Sequence, residues 1–193
     1  MLFETITWND EEIHICISEL RNSEHLDRNA LLNLANSTSE FVLAVQFFNS
    51  AMIVNEIHLL SAAQNAFNAW KGGYMRSRSL DVEMVIYASA QHQIGKALEL
   101  MGITDRTASV AVVVLGEHKH KVKECMLGFK RTIGNEIIPA FDMTSKKLET
   151  LMAAFLISNL EISLFLDHDD IKARQHALSK CVVSRISQVA TIS

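Results

Sequence analysis

The sequence is poor in residues that constrain a chain by themselves. It has one proline, Pro139, and seven glycines in 193 residues. No proline-rich or glycine-rich linker divides it, and the expectation is a single domain over residues 1–193. Its three cysteines, Cys16, Cys125 and Cys181, are odd in number and far apart. That spacing offers no CxxC metal pattern and suits reduced thiols in a cytoplasmic protein. No apolar run approaches the ~20 residues of a membrane span. The first residues, MLFETITWNDEE, carry acids where a signal peptide needs cations. GxxxxGKS/T and GxGxxG are both missing, so there is no phosphate cradle, and no glycine-framed nucleophile or paired-carboxylate motif stands out. No catalytic residue and no cofactor is expected.

What is present has the balance of an ordinary globular chain: 49 % hydrophobic, 21 % charged, net charge −4. The charge argues against a generally basic surface and leaves room for a local patch. Residues 12–18, EIHICIS, alternate strictly and predict a half-buried strand. Leu26, Ala30, Leu31 and Leu34 are spaced for a helix from about His25, ended by a polar loop at Asn36-Ser37-Thr38-Ser39. Phe41–Phe48 is a short apolar run and predicts a central strand. SVAVVVL at 109–115 is β-branched and apolar throughout, as a strand covered on both faces is, and Gly116 ends it. Two further helices are expected. One runs from Glu117 to Lys130 on Val122, Cys125, Met126 and Phe129. The other is capped by Thr144 and reaches about Asn159, with Leu148, Leu151, Met152, Phe155 and Leu156 inward. Beyond the acidic break Asp167-His168-Asp169-Asp170, residues 171–193 carry four cations, no acid and a helical stripe, and predict a C-terminal helical extension. The order of elements gives an α/β (α+β) class: a small mixed or antiparallel sheet covered by several helices.

The densest information lies in residues 58–102. Ile53, Ile57, Leu60, Ala63, Phe67 and Trp70 fall on one face of a helix that Gly72 and Gly73 interrupt. A second long helix is expected from Ser79, as cap, to Met101. Asp81 and Glu83 sit in its first turn, and Gly102 stands where a C′ glycine belongs. Between the helices lie Lys71, Arg76 and Arg78, three cations in eight residues with no acid among them. Arginine pairs with phosphate as a bidentate fork and lysine as a point charge. Tyr74 beside them has a ring face on which an unpaired base can stack. By charge alone the same stretch also reads as a solvated connector.

His58, Leu59, Ala62, Ala66, Glu83, Tyr87, Ala88, Gln93, Ile94, Ala97, Met101 and Gly102 spell HLLSAxxxAFxAW and ExxxYASxxxQIxxALxxMGI. This pattern resembles the small kinase-binding subunit of the KEOPS complex, the family of the eukaryotic PRPK-binding protein. It thins over 12–57 and 103–160, is absent from the last thirty residues, and departs at His92, where relatives carry arginine. The resemblance implies a non-catalytic subunit of a cytoplasmic machine that places a threonylcarbamoyl group on tRNA. Such a subunit docks on and stimulates a small atypical kinase, helps hold the acceptor CCA end, and meets the threonylcarbamoyl transferase only indirectly. Together with the local cation cluster it implies a tRNA-binding set of Lys71, Tyr74, Arg76, Arg78 and His58. Kinase docking is expected through a mostly apolar helix surface, within Ser79–Met101 or Thr144–Asn159, because charged loops make poor interface cores. The alternatives are a small ligand-binding or enzymatic α/β domain, and a protein-only adaptor that never touches RNA. His118-Lys119-His120 and the 167–170 acids read as exposed polar stretches, with no metal expected, because no third ligand stands near the histidines and acids suit a helix start.

Overall fold

The computed structural model describes residues 1–38 and 41–190; the Ser39 end of the predicted polar loop and the last three residues of the C-terminal segment lie outside the described residues. In chain order the elements are β1 (Leu2–Trp8), β2 (Glu11–Arg21), α1 (Arg28–Asn36), β3 (Ala44–Asn49), α2 (Glu56–Gly72), α3 (Leu80–Ser89), α4 (Ile94–Met101), β4 (Ser109–Gly116), α5 (Lys119–Ile133), α6 (Ser145–Ala154), α7 (Asn159–Ser163) and α8 (Ile171–Val189). The strands form one open sheet in the order β1-β2-β4-β3, and each neighbouring pair is antiparallel. The class is therefore α+β.

Strand β4 is the axis of the molecule. It pairs with β2 on one side and β3 on the other, and Val110 to Leu115 are buried to within 1 %. Alternation splits its side chains between two cores. Ala111, Val113 and Leu115 join Ile13, Ile15, Ile17 and Phe48 under α2, α3 and α8. Val110, Val112 and Val114 join Cys16, Leu20 and Phe47 under α1 and α5, where Phe47 and Phe129 meet edge to face at 4.9 Å. The double cover explains why Val110 to Leu115 include no polar side chain.

Several expectations change. The first strand is absent from the sequence reading; it forms because Asn9 and Asp10 both adopt positive φ (45° and 67°), the two-residue turn whose twist suits a hairpin. The Phe41–Phe48 run is an edge strand, not a central one. Its apolar character comes from helices on both of its faces, which a sequence cannot distinguish from burial between strands. The expected helix from Ser79 to Met101 is two helices, broken at Ala90 (φ 52°). Gly102 is not in the left-handed region (φ −68°); its missing β-carbon instead lets the backbone approach the Leu98 carbonyl, which accepts its N–H at 2.8 Å. The Thr144-capped helix stops at Ala154, and Leu156 turns outward.

The basic C-terminal segment is α8, packed on α2, α3, α6 and α7. Its inner face, Leu178, Val182, Ile186 and Val189, is buried. Gln175 donates to the carbonyls of Val54 (2.7 Å) and Phe141 (3.0 Å), and Ser179 bonds Asn55, the cap of α2, at 3.0 Å. The segment closes the larger core.

Candidate functional site: a cationic loop on a buried pedestal

The loop between α2 and α3 is shaped by its glycines. Gly73 takes the left-handed region (φ 72°) and ends α2 as a Schellman motif: its N–H reaches the Trp70 carbonyl at 3.3 Å, and that of Tyr74 reaches Ala69 at 3.0 Å. Gly72 serves a different need, since a β-carbon there would run into the Tyr74 ring. Tyr74 lies against that bare backbone with 50 % of its surface exposed.

The three cations are not equivalent. Lys71 pairs with Glu11 of the β1–β2 hairpin at 2.5 Å and lies over the Trp70 ring at 5.1 Å. Arg76 donates through Nη2 to the Val189 carbonyl at the end of α8, 3.0 Å away, where the helix dipole favours a cation. Arg78 is exposed, and among the described residues no ion pair or hydrogen bond engages its side chain. Ser79 stands at the cap position of α3 without a side-chain cap bond. The acid in the first turn acts instead. Glu83, with no exposed surface, accepts the N–H groups of Arg76 (3.1 Å) and Ser77 (2.8 Å) and lies 2.7 Å from the Ser77 hydroxyl. The sequence signal for this role is an acid in the first turn of an apolar helix, which by itself implies only a favourable dipole interaction.

His58 is elsewhere in function. It is fully buried in the first turn of α2, Nδ1 accepts from Val54 N–H at 3.3 Å, and Nε2–H donates to the Ala88 carbonyl at 2.7 Å. That second bond satisfies a carbonyl at the broken end of α3, and the ring meets Phe155 edge to face at 5.5 Å. It ties α2, α3 and α6 together and presents no face to an outside base. Burial pushes its pKa down to about 4 from an ordinary 6.5. The unfolded chain therefore binds a proton that the folded chain refuses between these values. The stability this residue contributes is whole above pH 6.5 and is lost progressively as pH falls towards 4, to a total of about 3 kcal/mol. A proton titration followed by NMR should show His58 neutral down to about pH 4; a His58 midpoint near 6.5 would mean that the ring is not enclosed.

The residues that carried the sequence resemblance are mostly of this buried kind. His58, Leu59, Ala62, Ala66, Glu83, Tyr87, Ala88, Ala97 and Met101 are all 1 % exposed or less. They encode the packing of α2, α3 and α4 beneath the loop.

A second exposed surface is apolar. Leu156, Leu160, Leu164 and Phe165 are 83, 74, 73 and 43 % exposed. Leu160 lies on α7 and Leu164 is the C-cap residue that follows it, and Ser158 and Glu161 start the helix with a capping box. Leu156 holds a positive φ of 54°, an uncommon conformation for a bulky residue. Beside them, α6, α7 and the start of α8 enclose a groove of about 920 Å³, floored by Leu148, Met152, Ile162 and Leu166 and rimmed by Glu149 and Asp170. The acidic break supplies this rim: Asp170 caps α8 through Ala173 N–H at 2.8 Å, and Asp169 pairs with Arg174. His118 and His120 stack with centroids 5.8 Å apart, and among the described residues no group of three or more His, Cys, Asp or Glu is placed to hold a metal ion. No helix among them is long and apolar enough to cross a membrane.

A cationic loop and a row of outward leucines are both exposed on this α+β body. The sequence pattern of the family described as "Kinase binding protein CGI-121" matches residues 17–189, and the chain belongs to that family. The matched residues run through α8 to its last residue, Val189. A relative named "EKC/KEOPS complex subunit cgi121", from Aspergillus fumigatus, is 30 % identical over 101 residues, which cover 52 % of this chain and 51 % of the relative. The alignment thus spans about half the length of each.

Proposed function

We propose that this protein is a non-catalytic, cytoplasmic subunit of a KEOPS complex, that it docks on and stimulates the small atypical kinase of that complex, and that it helps recruit tRNA through the acceptor CCA end for threonylcarbamoyladenosine modification. The family and the name of the relative support the kinase and the complex. The observation that carries the tRNA part is that Tyr74 and the unengaged Arg78 are both exposed on a loop held from beneath. In this reading Arg78 and Tyr74 make the main contacts. Lys71 and Arg76 contribute field and can exchange their internal partners for phosphate, and His58 acts only through the pedestal. The protein-only adaptor remains the competing reading, favoured by the internal engagement of Lys71 and Arg76.

A salt titration of tRNA binding separates the two. Removing one cation that neutralises a phosphate should flatten the dependence of log K on log salt by roughly 0.7 to 0.9. The Lys71/Arg76/Arg78→Ala variant is expected to show that flattening. Tyr74→Ala is expected to lose roughly 1 to 3 kcal/mol with the slope nearly kept, and only on tRNA that retains its CCA end. An unchanged slope in the triple variant would make the loop a solvated connector.

Kinase docking belongs on an apolar surface, since charged residues are depleted at interface cores. Of the two expected surfaces, α3 is enclosed over most of its length. The segment from Leu156 to Phe165 extends the other and exposes much more apolar surface than α4, where Ile94 and Leu98 are about 40 % exposed. The reading places the kinase on the leucines and their groove, and tRNA on the loop.

A further inference from the structure

The loop between α2 and α3 is fixed more firmly than a connector requires. A carboxylate with no exposed surface, Glu83, gathers two consecutive backbone N–H groups, Arg76 and Ser77. The Ser77 hydroxyl stands 2.7 Å from that carboxylate and 2.7 Å from the Ser79 carbonyl, and its single hydrogen serves one of them at a time. A charged acceptor makes the stronger bond, so the carboxylate is favoured. At the other end of the loop the bare backbone of Gly72 receives the Tyr74 ring. Gly72 does not need its glycine for a positive φ, because only Gly73 and Gly134 adopt one among the described glycines. What it provides is room.

We infer that Glu83 and Gly72 are positioning residues for tRNA: Glu83 fixes the backbone from which Arg76 and Arg78 project, and Gly72 seats Tyr74. The inference rests on the reading of the loop as a tRNA contact. Its physical content is preorganisation. A loop that samples the binding conformation only part of the time binds with its Kd divided by that fraction, and so more weakly, and groups ordered in advance lose less freedom on association. Neither residue touches RNA in this arrangement; each acts through a residue that does.

Such action has a signature that a merely structural role lacks, because its effect disappears when the residue it serves is gone. Glu83→Gln is expected to speed amide hydrogen exchange at Arg76 and Ser77. It is also expected to raise the Kd for tRNA about fivefold, as a competent fraction of one fifth would. In the Lys71/Arg76/Arg78→Ala background the same change should add no further loss. Gly72→Ala, tolerated by the helix backbone, displaces the ring; it should weaken tRNA binding with the salt slope kept, and should add nothing in a Tyr74→Ala background. Where Glu83→Gln does not fold, Ser77→Ala removes one donor and keeps the carboxylate, and a smaller loss with the same dependence on the three cations is expected. Losses that add in the double variants, or tRNA binding at wild-type strength by the Glu83 and Gly72 variants while the triple variant is weak, would overturn this inference alone. Wild-type binding by the triple variant would instead overturn the reading on which it rests.

Discussion

Val113→Asp is expected to yield no stably folded protein. Val113 is 1 % exposed in the middle of β4, paired with Ile17 of β2 and Gln46 of β3. Its side chain enters the larger core, among Ile15, Ile17 and the helices above them. A carboxylate there has no cation to pair with and would either stay charged in an apolar medium or take up a proton and still lack partners. An uncompensated buried group of this kind costs several kcal/mol, against a total stability of about 5–15 kcal/mol for a domain. The exposed edge offers the control: Thr7→Asp on β1 should change stability by no more than about 0.5 kcal/mol. Thermal denaturation followed by circular dichroism compares them. A soluble Val113→Asp protein that melts with the wild type would remove β4 from the centre of the fold.

That strand is plain in the sequence because its environment is uniform: from Val110 to Leu115 every position is buried, and every position is apolar. The elements that the sequence misplaces are those whose environment changes from residue to residue. Helix α2 buries His58, Leu59, Ala62, Ala63, Ala66, Phe67 and Ala69, while Ile57 and Trp70, which the periodicity places inward, are 52 and 36 % exposed. Small side chains let α3 and α8 approach closely, and alanine gives too weak a hydrophobic signal to mark the inner face. The break at Ala90 has neither glycine nor proline to announce it. It is held by tertiary contacts, among them the bond from His58 to the Ala88 carbonyl. Leu156 continues an apolar stripe and so reads as core, but α6 ends two residues earlier. The loop is legible as a basic interruption. Which of its cations is engaged is not, because the partners Glu11 and Val189 lie far away in sequence.

Leu160→Glu combined with Leu164→Glu should abolish stable kinase binding and little else. Both side chains are about three-quarters exposed, so replacing them removes little from the core and should alter stability by no more than about 0.5 kcal/mol. At a docked surface the consequence is different. A stable complex of this kind covers roughly 800 Å² on each partner, and the energy concentrates in a few enclosed apolar anchors, each worth about 2 kcal/mol or more on truncation. Two such anchors replaced by carboxylates, which must lose water and find no partner, correspond to a loss of at least about 100-fold in affinity. Calorimetry against the purified kinase reads this directly, with two controls. Arg78→Glu should leave kinase affinity within a few-fold, since charged residues are depleted at interface cores. The leucine variant should bind tRNA as the wild type does. Ile94→Glu with Leu98→Glu on α4 addresses the remaining apolar surface: kinase binding that survives the α7 changes and fails with these would move the docking face to α4. Survival of both pairs would mean that the outward leucines of residues 156–164 face something other than the kinase.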